Sequence, residues 1–286
     1  MNIAIVGATG NVGRRLIEVL EKKQFPIDKL FLIASSKSVG KKINFKGKEH
    51  SIQDLESFDF SSVKIAFFSA GSSIAEKWAP IAAKKTIVID NSKFFRMDPD
   101  VPLIVPEVNS KDLKNYKKKN IIANANCSVI PLVVALKPLH DLYEIKRIVA
   151  STYQSVSGAG KEPMDELLSQ TKDFFDGKKL NSKFFTKQIA FNAIPHIDSF
   201  LEDGYTKEEQ KMHDEVKKIL DNKIKITSTS VRIPVLVSHA VSVNVEFNKK
   251  YKLNEIRSVL NTSPGCKVLD EHKDGGYITP VEAENK

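Results

Sequence analysis

Cysteine is scarce in this sequence. Only Cys127 and Cys266 occur among 286 residues, too few for a disulfide framework, so reduced thiols in a cytoplasmic setting are expected and Cys127 is left available for chemistry. No apolar run approaches the ~20 residues that a helix needs to cross a bilayer, which argues against a membrane-spanning role. The opening MNIAIVGATG is apolar for only a few residues before it meets a glycine turn, and reads as neither a secretory nor a transit leader. His50, His140, His196, His213 and His272 lack ligand spacing, so no metal site is expected. Acidic residues are outnumbered, 35 against 44 Lys and Arg, for a net charge of +9. The lysines are spread, with short runs at 117–119 and 178–179 and no interleaved aromatics of the kind that build RNA platforms. Nucleic acid is therefore not an expected partner, and the cations suit phosphate-bearing small molecules instead.

What is present is ordinary globular material, 41% hydrophobic and 28% charged, long enough for two moderate domains. In the first part, short apolar runs at 3–6, 30–34, 65–69 and 86–90 read as strands. Helical patterns fall between them: Val12, Leu16, Val19 and Leu20 in one, and 73–85 in another, with Trp78, Ile81 and Ala82 offered as its buried face. Such alternation predicts an α/β fold, a Rossmann-type parallel sheet forming a nucleotide-binding domain over residues 1–126. After Cys127 the pattern changes to a long apolar stretch through Leu142, a strand at 147–155, helices at 163–175 and 207–220, and strands at 227–233 and 240–247. The last alternates apolar with polar residues, which predicts an α+β catalytic domain over 127–286 with a mostly antiparallel sheet.

Gly7, Gly10 and Gly13 form G-x-x-G-x-x-G between the first strand and first helix, where backbone amides at a helix N-terminus can approach a pyrophosphate. The second strand ends in Ala34, Ser35, Ser36, Lys37 and Ser38, without the acid that usually holds the ribose hydroxyls of NAD. Hydroxyls and a cation accept a 2′-phosphate, so NADP is the expected cofactor, unless Lys37 and Lys41 are a plain solvated loop.

Cys127, in NANCSV, precedes an apolar helical run whose N-terminus would favour a thiolate, with Asn126 and Ser128 as donors for an oxyanion. Gly158 and Gly160, in SVSGAGK, form a second glycine turn after a strand, open to close approach by a ring or phosphate. His239 lies at a loop-to-strand junction and could take a proton from the thiol. Arg232, seven residues earlier, suits a substrate carboxylate. Singly, each of these also fits a structural role: a core thiol, a strand histidine, a surface ion pair.

Together with GATGNVG at the start, the blocks FFSAGSS (67–73), VIDNS (88–92), PEVN (106–109), NCS (126–128), TYQSVSGAG (152–160), FNAIPHID (191–198) and RIPV (232–235) run in order over almost the whole chain, which closely resembles the aspartate-semialdehyde dehydrogenases. The resemblance implies reductive dephosphorylation of aspartyl phosphate through a thioester on Cys127. Hydride comes from NADPH, and inorganic phosphate is the partner of the reverse reaction. It implies His239 as acid/base and Gln154 as the residue positioning substrate beside the thiol. Arg232 would bind the substrate carboxylate, Arg96 and Lys211 the phosphate, and Glu208 the substrate amine or Lys211. Cofactor contacts would come from Gly7, Thr9, Gly10, Asn11, Val12, Gly13, Lys37, Ser38, Ser157 and Gly158, and a homodimer from the second domain. Three departures stand out. Ala125 replaces the usual proline, and Ala240 and Val241 replace a serine and an acid after the histidine, so the imidazole must be oriented from elsewhere. The sequence also stops at VEAENK where family members continue for several tens of residues. Two other readings stay open: an N-acetyl-gamma-glutamyl-phosphate reductase, or a truncated, noncatalytic nucleotide-binding paralogue.

Overall fold

The computed structural model describes residues 1–284. The chain divides into two compact units, Met1–Ala125 and Asn126–Lys286.

The first unit is built on an eight-stranded sheet. Its strands are β1 (Asn2–Val6), β2 (Lys29–Ala34), β3 (Lys42–Phe45), β4 (Lys48–Asp54), β5 (Ile65–Phe68), β6 (Ile87–Asp90), β7 (Leu103–Ile104) and β8 (Ile121–Asn124), in the order β3-β4-β2-β1-β5-β6-β8-β7. Every ladder is parallel except the β3/β4 hairpin. Ile3, Ala4, Ile5 and Val6 are all fully buried, as expected of a central parallel strand. Helix α1 (Asn11–Lys22) joins β1 to β2, α2 (Ser72–Ala83) joins β5 to β6, and the short α3 (Pro106–Asn109) follows β7.

Two helix faces differ from the sequence reading. Helix α2 buries Ala75, Ala79, Ala82 and Ala83 while Ile81 is exposed, because small residues let the helix pack closely. Helix α1 buries Gly13, Ile17 and Leu20, leaving Val12 and Val19 exposed. The β3/β4 hairpin, β7 and β8 add to the expected strands. The hairpin turns at Lys46 and Gly47, both with positive φ, the backbone that a tight two-residue turn needs.

In the second unit, α4 (Val129–Tyr143) leads to β9 (Ile145–Gln154), then α5 (Lys161–Phe175), α6 (Lys207–Ile219), β10 (Lys225–Arg232), β11 (Ala240–Phe247), α7 (Leu253–Thr262) and α8 (Pro280–Ala283). The sheet order is β10-β9-β11. The expected mostly antiparallel sheet needs correction: β11 runs antiparallel to β9, but β10 runs parallel to it. The chain between β9 and β10 carries α5 and α6, long enough for the crossover that parallel pairing requires. The register pairs Arg232 with Gln154, and both side chains are buried on the same face.

Candidate active site

Helix α6 organises the site. Thr206 caps it reciprocally with Glu209, and its buried face carries three carboxylates, Glu208, Glu209 and Glu215, beside Met212, Val216 and Ile219. A buried carboxylate is tolerated only when hydrogen bonds replace its water, and each one here accepts them. Glu209 accepts from the Ser230 amide of β10 at 3.0 Å. Glu215 accepts from the Asn126 amide at 2.6 Å. Glu208 accepts from Asn126 Nδ2 at 2.9 Å and Gln154 Nε2 at 3.1 Å through one oxygen, and from Lys211 Nζ at 2.8 Å through the other. Burial pushes the Glu208 carboxyl up, but Lys211 and the donated hydrogens outweigh it and hold the group below its ordinary value. Lys211 bridges onward to Asp198 at 2.9 Å. Burial lowers it, but the two carboxylates raise it further, so the pair stays charged.

Cys127 stands exposed between two buried residues, Asn126 and Ser128, just before the N-cap of α4. Asn126 gives Nδ2 to Glu208, and its Oδ1 accepts from the Ser128 amide at 2.8 Å, so it is first a structural knuckle. The Ser128 hydroxyl is buried without a hydrogen-bond partner. His239 Nε2 lies 3.2 Å from Cys127 Sγ. At the other side of the ring, the Ser155 amide donates to Nδ1 at 3.0 Å, with the Ser155 hydroxyl at 3.2 Å. An amide hydrogen is fixed by the backbone, so Nδ1 must be an acceptor and the neutral ring carries its hydrogen on Nε2, facing the sulfur. Ser155 thus provides the orientation that Ala240 and Val241 cannot. Burial first, then the Arg232 charge, hold the imidazole below its ordinary value of 6.5, with Glu208 and the Ser238 carbonyl opposing.

Arg232 is buried at the end of β10 and donates from Nη1 to the Ser155 carbonyl at 2.6 Å. A Cβ at position 158 would come within 3.2 Å of that Nη1 and 3.5 Å of the His239 ring, so glycine there leaves room at the site. Gln154 gives its amide hydrogens to Glu208 and, at 3.2 Å, to Thr152. The second unit therefore brings together Asn126, Cys127, Gln154, Gly158, Glu208, Lys211, Arg232 and His239. Ser157, by its hydroxyl 3.0 Å from that of Ser155, belongs to the same turn. Sequence reasoning missed Ser155, Asp198 and Glu215. The spacing of Glu215 seven residues after Glu208, on one helical face, is the one signal that could have found it.

In the first unit, Gly7 has φ +87°, and a Cβ on Gly13 would lie 2.3 Å from the Gly7 carbonyl. The turn thus closes tightly on α1, whose first turn holds no acid and whose N-cap Gly10 makes no side-chain cap bond. Thr9, Asn11 and Val12 sit on this turn, and Lys37 and Ser38 on a 3-10 turn (Ser36–Ser38) just after β2. Arg96 is buried and fixed by the Asn124 and Asn91 carbonyls at 2.9 and 3.0 Å.

A dinucleotide-type fold and an exposed cysteine facing a neutral imidazole beside a buried guanidinium define a thiol-dependent dehydrogenase. The pattern of the semialdehyde dehydrogenase NAD binding domain matches residues 2–116, and that of the semialdehyde dehydrogenase dimerisation domain matches residues 136–286. The aspartate-semialdehyde dehydrogenase of Aquifex aeolicus is 52% identical over 99% of this chain and 85% of its own length. That of Rickettsia bellii is 49% identical over 98% and 83%. The crystal structure of aspartate semialdehyde dehydrogenase II from Vibrio cholerae covers 92% of this chain and 79% of its own, with TM-score 0.91 and 49% identity. The same enzyme complexed with ASA matches with TM-score 0.91 and 48% identity over the same shares. The chain belongs to the aspartate-semialdehyde dehydrogenase family. The acetylglutamyl-phosphate reductase and noncatalytic readings are not favoured by these relatives.

Proposed function

We propose that this enzyme converts L-aspartyl 4-phosphate to L-aspartate 4-semialdehyde in the cytoplasm, with NADPH, for lysine and diaminopimelate, threonine and methionine biosynthesis. The observation that carries the mechanism is the Ser155–His239–Cys127 alignment. A hydrogen on Nε2 facing Sγ stabilises a thiolate, the form that attacks an acyl carbon. As the C–S bond forms, the bond to the phosphate oxygen breaks and phosphate departs with its electrons. The cofactor, when bound, supplies the hydride that reduces the thioester carbonyl. His239 Nε2–H then donates to the tetrahedral alkoxide, which collapses to the aldehyde as the C–S electrons return to sulfur. Solvent supplies the one proton that the departing phosphate takes up, and the protein itself gains or loses none in this sequence. His239 thus serves as a hydrogen-bond donor to developing negative charge, in place of the base suggested by its residue type.

Arg232 is proposed to bind the substrate carboxylate and Glu208 the substrate amine, with Gln154 positioning the substrate beside the thiol. Arg96 and Lys211 are proposed for phosphate. Two of the three hydrogens of Lys211 are committed to Glu208 and Asp198, so it would offer the third. The tight glycine turn and the acid-free first turn of α1 fit a pyrophosphate, and Lys37 and Ser38 fit a 2′-phosphate. The dimerisation domain is proposed to form a homodimer, which sedimentation would report as twice the 32.0 kDa chain mass; a monomer at working concentration would refute it.

The test is NADPH formation from aspartate semialdehyde and NADP, with and without inorganic phosphate, on the purified chain. Strict phosphate dependence is expected, together with a loss of more than about 10³-fold in kcat for Cys127→Ser. Phosphate-independent turnover, or full activity in that variant, would overturn the covalent route.

A further inference from the structure

We propose that Glu215 is a positioning residue for the nucleophile, acting through Asn126. This rests on the reading of Cys127 as nucleophile. Glu215 is 1% exposed and lies 89 residues along the chain from the amide it holds, at 2.6 Å. The remaining polar atoms of Asn126 are also committed: Nδ2 to Glu208, Oδ1 to the Ser128 amide, and the carbonyl to the Val129 and Ile130 amides that begin α4. Two carboxylates of one helix face, two turns apart, thus grip one residue by its backbone and its side chain. That residue is the immediate neighbour of Cys127.

A carboxylate in a helix interior is a costly choice where a leucine or methionine would pack. The amide it satisfies could have been left to water, as unpaired donors beside helix starts commonly are. What a buried carboxylate oxygen adds is a fixed direction, since the helix holds it in place where a water molecule would be free to exchange. With its backbone anchor held, the exposed Cys127 side chain keeps its sulfur within 3.2 Å of His239 Nε2. Without it, the turn can relax and the sulfur loses the hydrogen that stabilises its charge. The influence proposed for Glu215 is geometric, exerted through the Asn126 amide.

The test compares Glu215→Gln, which keeps a carbonyl acceptor of the same reach, with Glu215→Ala, which has none. Iodoacetamide alkylation of Cys127, located by peptide mass spectrometry, is followed against pH alongside steady-state kinetics. Glu215→Ala is expected to lower kcat tenfold or more, by the tightness such sites require, with KM within about twofold, and to move the alkylation midpoint upward. Glu215→Gln should recover most of both. Wild-type kcat and alkylation profile in Glu215→Ala would overturn the proposal, as would Gln and Ala variants that lose stability equally with an unshifted midpoint. Should the alanine variant not fold, Glu215→Asp keeps the carboxyl group and withdraws the acceptor. The same midpoint shift is expected there, and an unshifted midpoint overturns the proposal. Alkylation needs no substrate, so a Glu215-sensitive thiol in a chain that does not oxidise aspartate semialdehyde would refute the functional reading alone.

Discussion

The hydrogen on His239 Nε2 separates two roles by experiment. Glutamine reaches about as far as imidazole Nε2 and presents N–H without titrating. If donation is what matters, His239→Gln should keep far more activity than His239→Ala, for which a loss of about 10²–10³-fold in kcat is expected, as for an oxyanion donor. Equal losses would restore the general-base role. The same residue sets the pH dependence. Its folded pKa lies below 6.5, so the ring stays neutral as pH falls past that value. The acid limb of kcat attributable to it should therefore lie below 6.5, and the glutamine variant should lack it. Stability has the matching sign: the unfolded ring protonates first, so this group's destabilising contribution appears as pH drops below 6.5. Arg232 gives a third test. Lysine cannot reproduce a fork that both donates to the Ser155 carbonyl and clasps a carboxylate. Losing one charge-assisted bond of roughly 1.5–3 kcal/mol predicts a fall in kcat/KM of about 10- to 150-fold for Arg232→Lys. An unchanged KM and kcat would remove Arg232 from substrate binding.

Helix α6 is a scaffold whose end determines its register. Thr206 Oγ1 accepts from the Glu209 amide while the Glu209 carboxylate accepts from the Thr206 amide at 2.7 Å, two residues from Glu208. Thr206→Ala should cost about 1 kcal/mol, lowering Tm by a few degrees in calorimetry, and kcat should fall with it because Glu208 and Glu215 share the helix. A stability loss with unaltered kcat would show that the cap serves the fold alone. How legible such elements were depended on how local their causes are. The buried run of β1, the glycine turn and α1 were readable because periodicity and glycine carry their own physics. The hairpin β3/β4 was not, since Lys46 gives little warning of a positive φ. The faces of α1 and α2 were only partly assigned: α1 buries Ile17 with Leu20 and exposes Val12 and Val19, and in α2 packing against the sheet selected alanines over Ile81. Cys127 and Arg232 could be named from their blocks, and His239 from its place at a loop-to-strand junction. Ser155 could not, and Glu215 showed only its seven-residue spacing from Glu208, because their partners lie 84 and 89 residues away and only the folded chain brings them together.

For the molecule as a whole, the cofactor proposal rests on the short turn that succeeds β2. Lys37 and Ser38 predict that kcat/KM with NADP exceeds that with NAD by at least tenfold, the order expected when a charged phosphate contact is made or missing. Lys37→Glu should narrow that preference, and equal rates with the two cofactors in the parent chain would sink the assignment. The wider consequence lies in which competitors the acyl-enzyme can tolerate. A thioester beside bulk water survives as long as nothing nearby removes a proton from that water. His239 presents a hydrogen to the reacting centre, and its only lone pair in the ring plane is occupied by the Ser155 amide. Water approaching the ring there meets a hydrogen and no free lone pair, whereas phosphate arrives already ionised and needs no base. In the proposed mechanism a single backbone hydrogen bond, one imidazole ring removed from the reacting sulfur, is what makes the acyl group wait for phosphate.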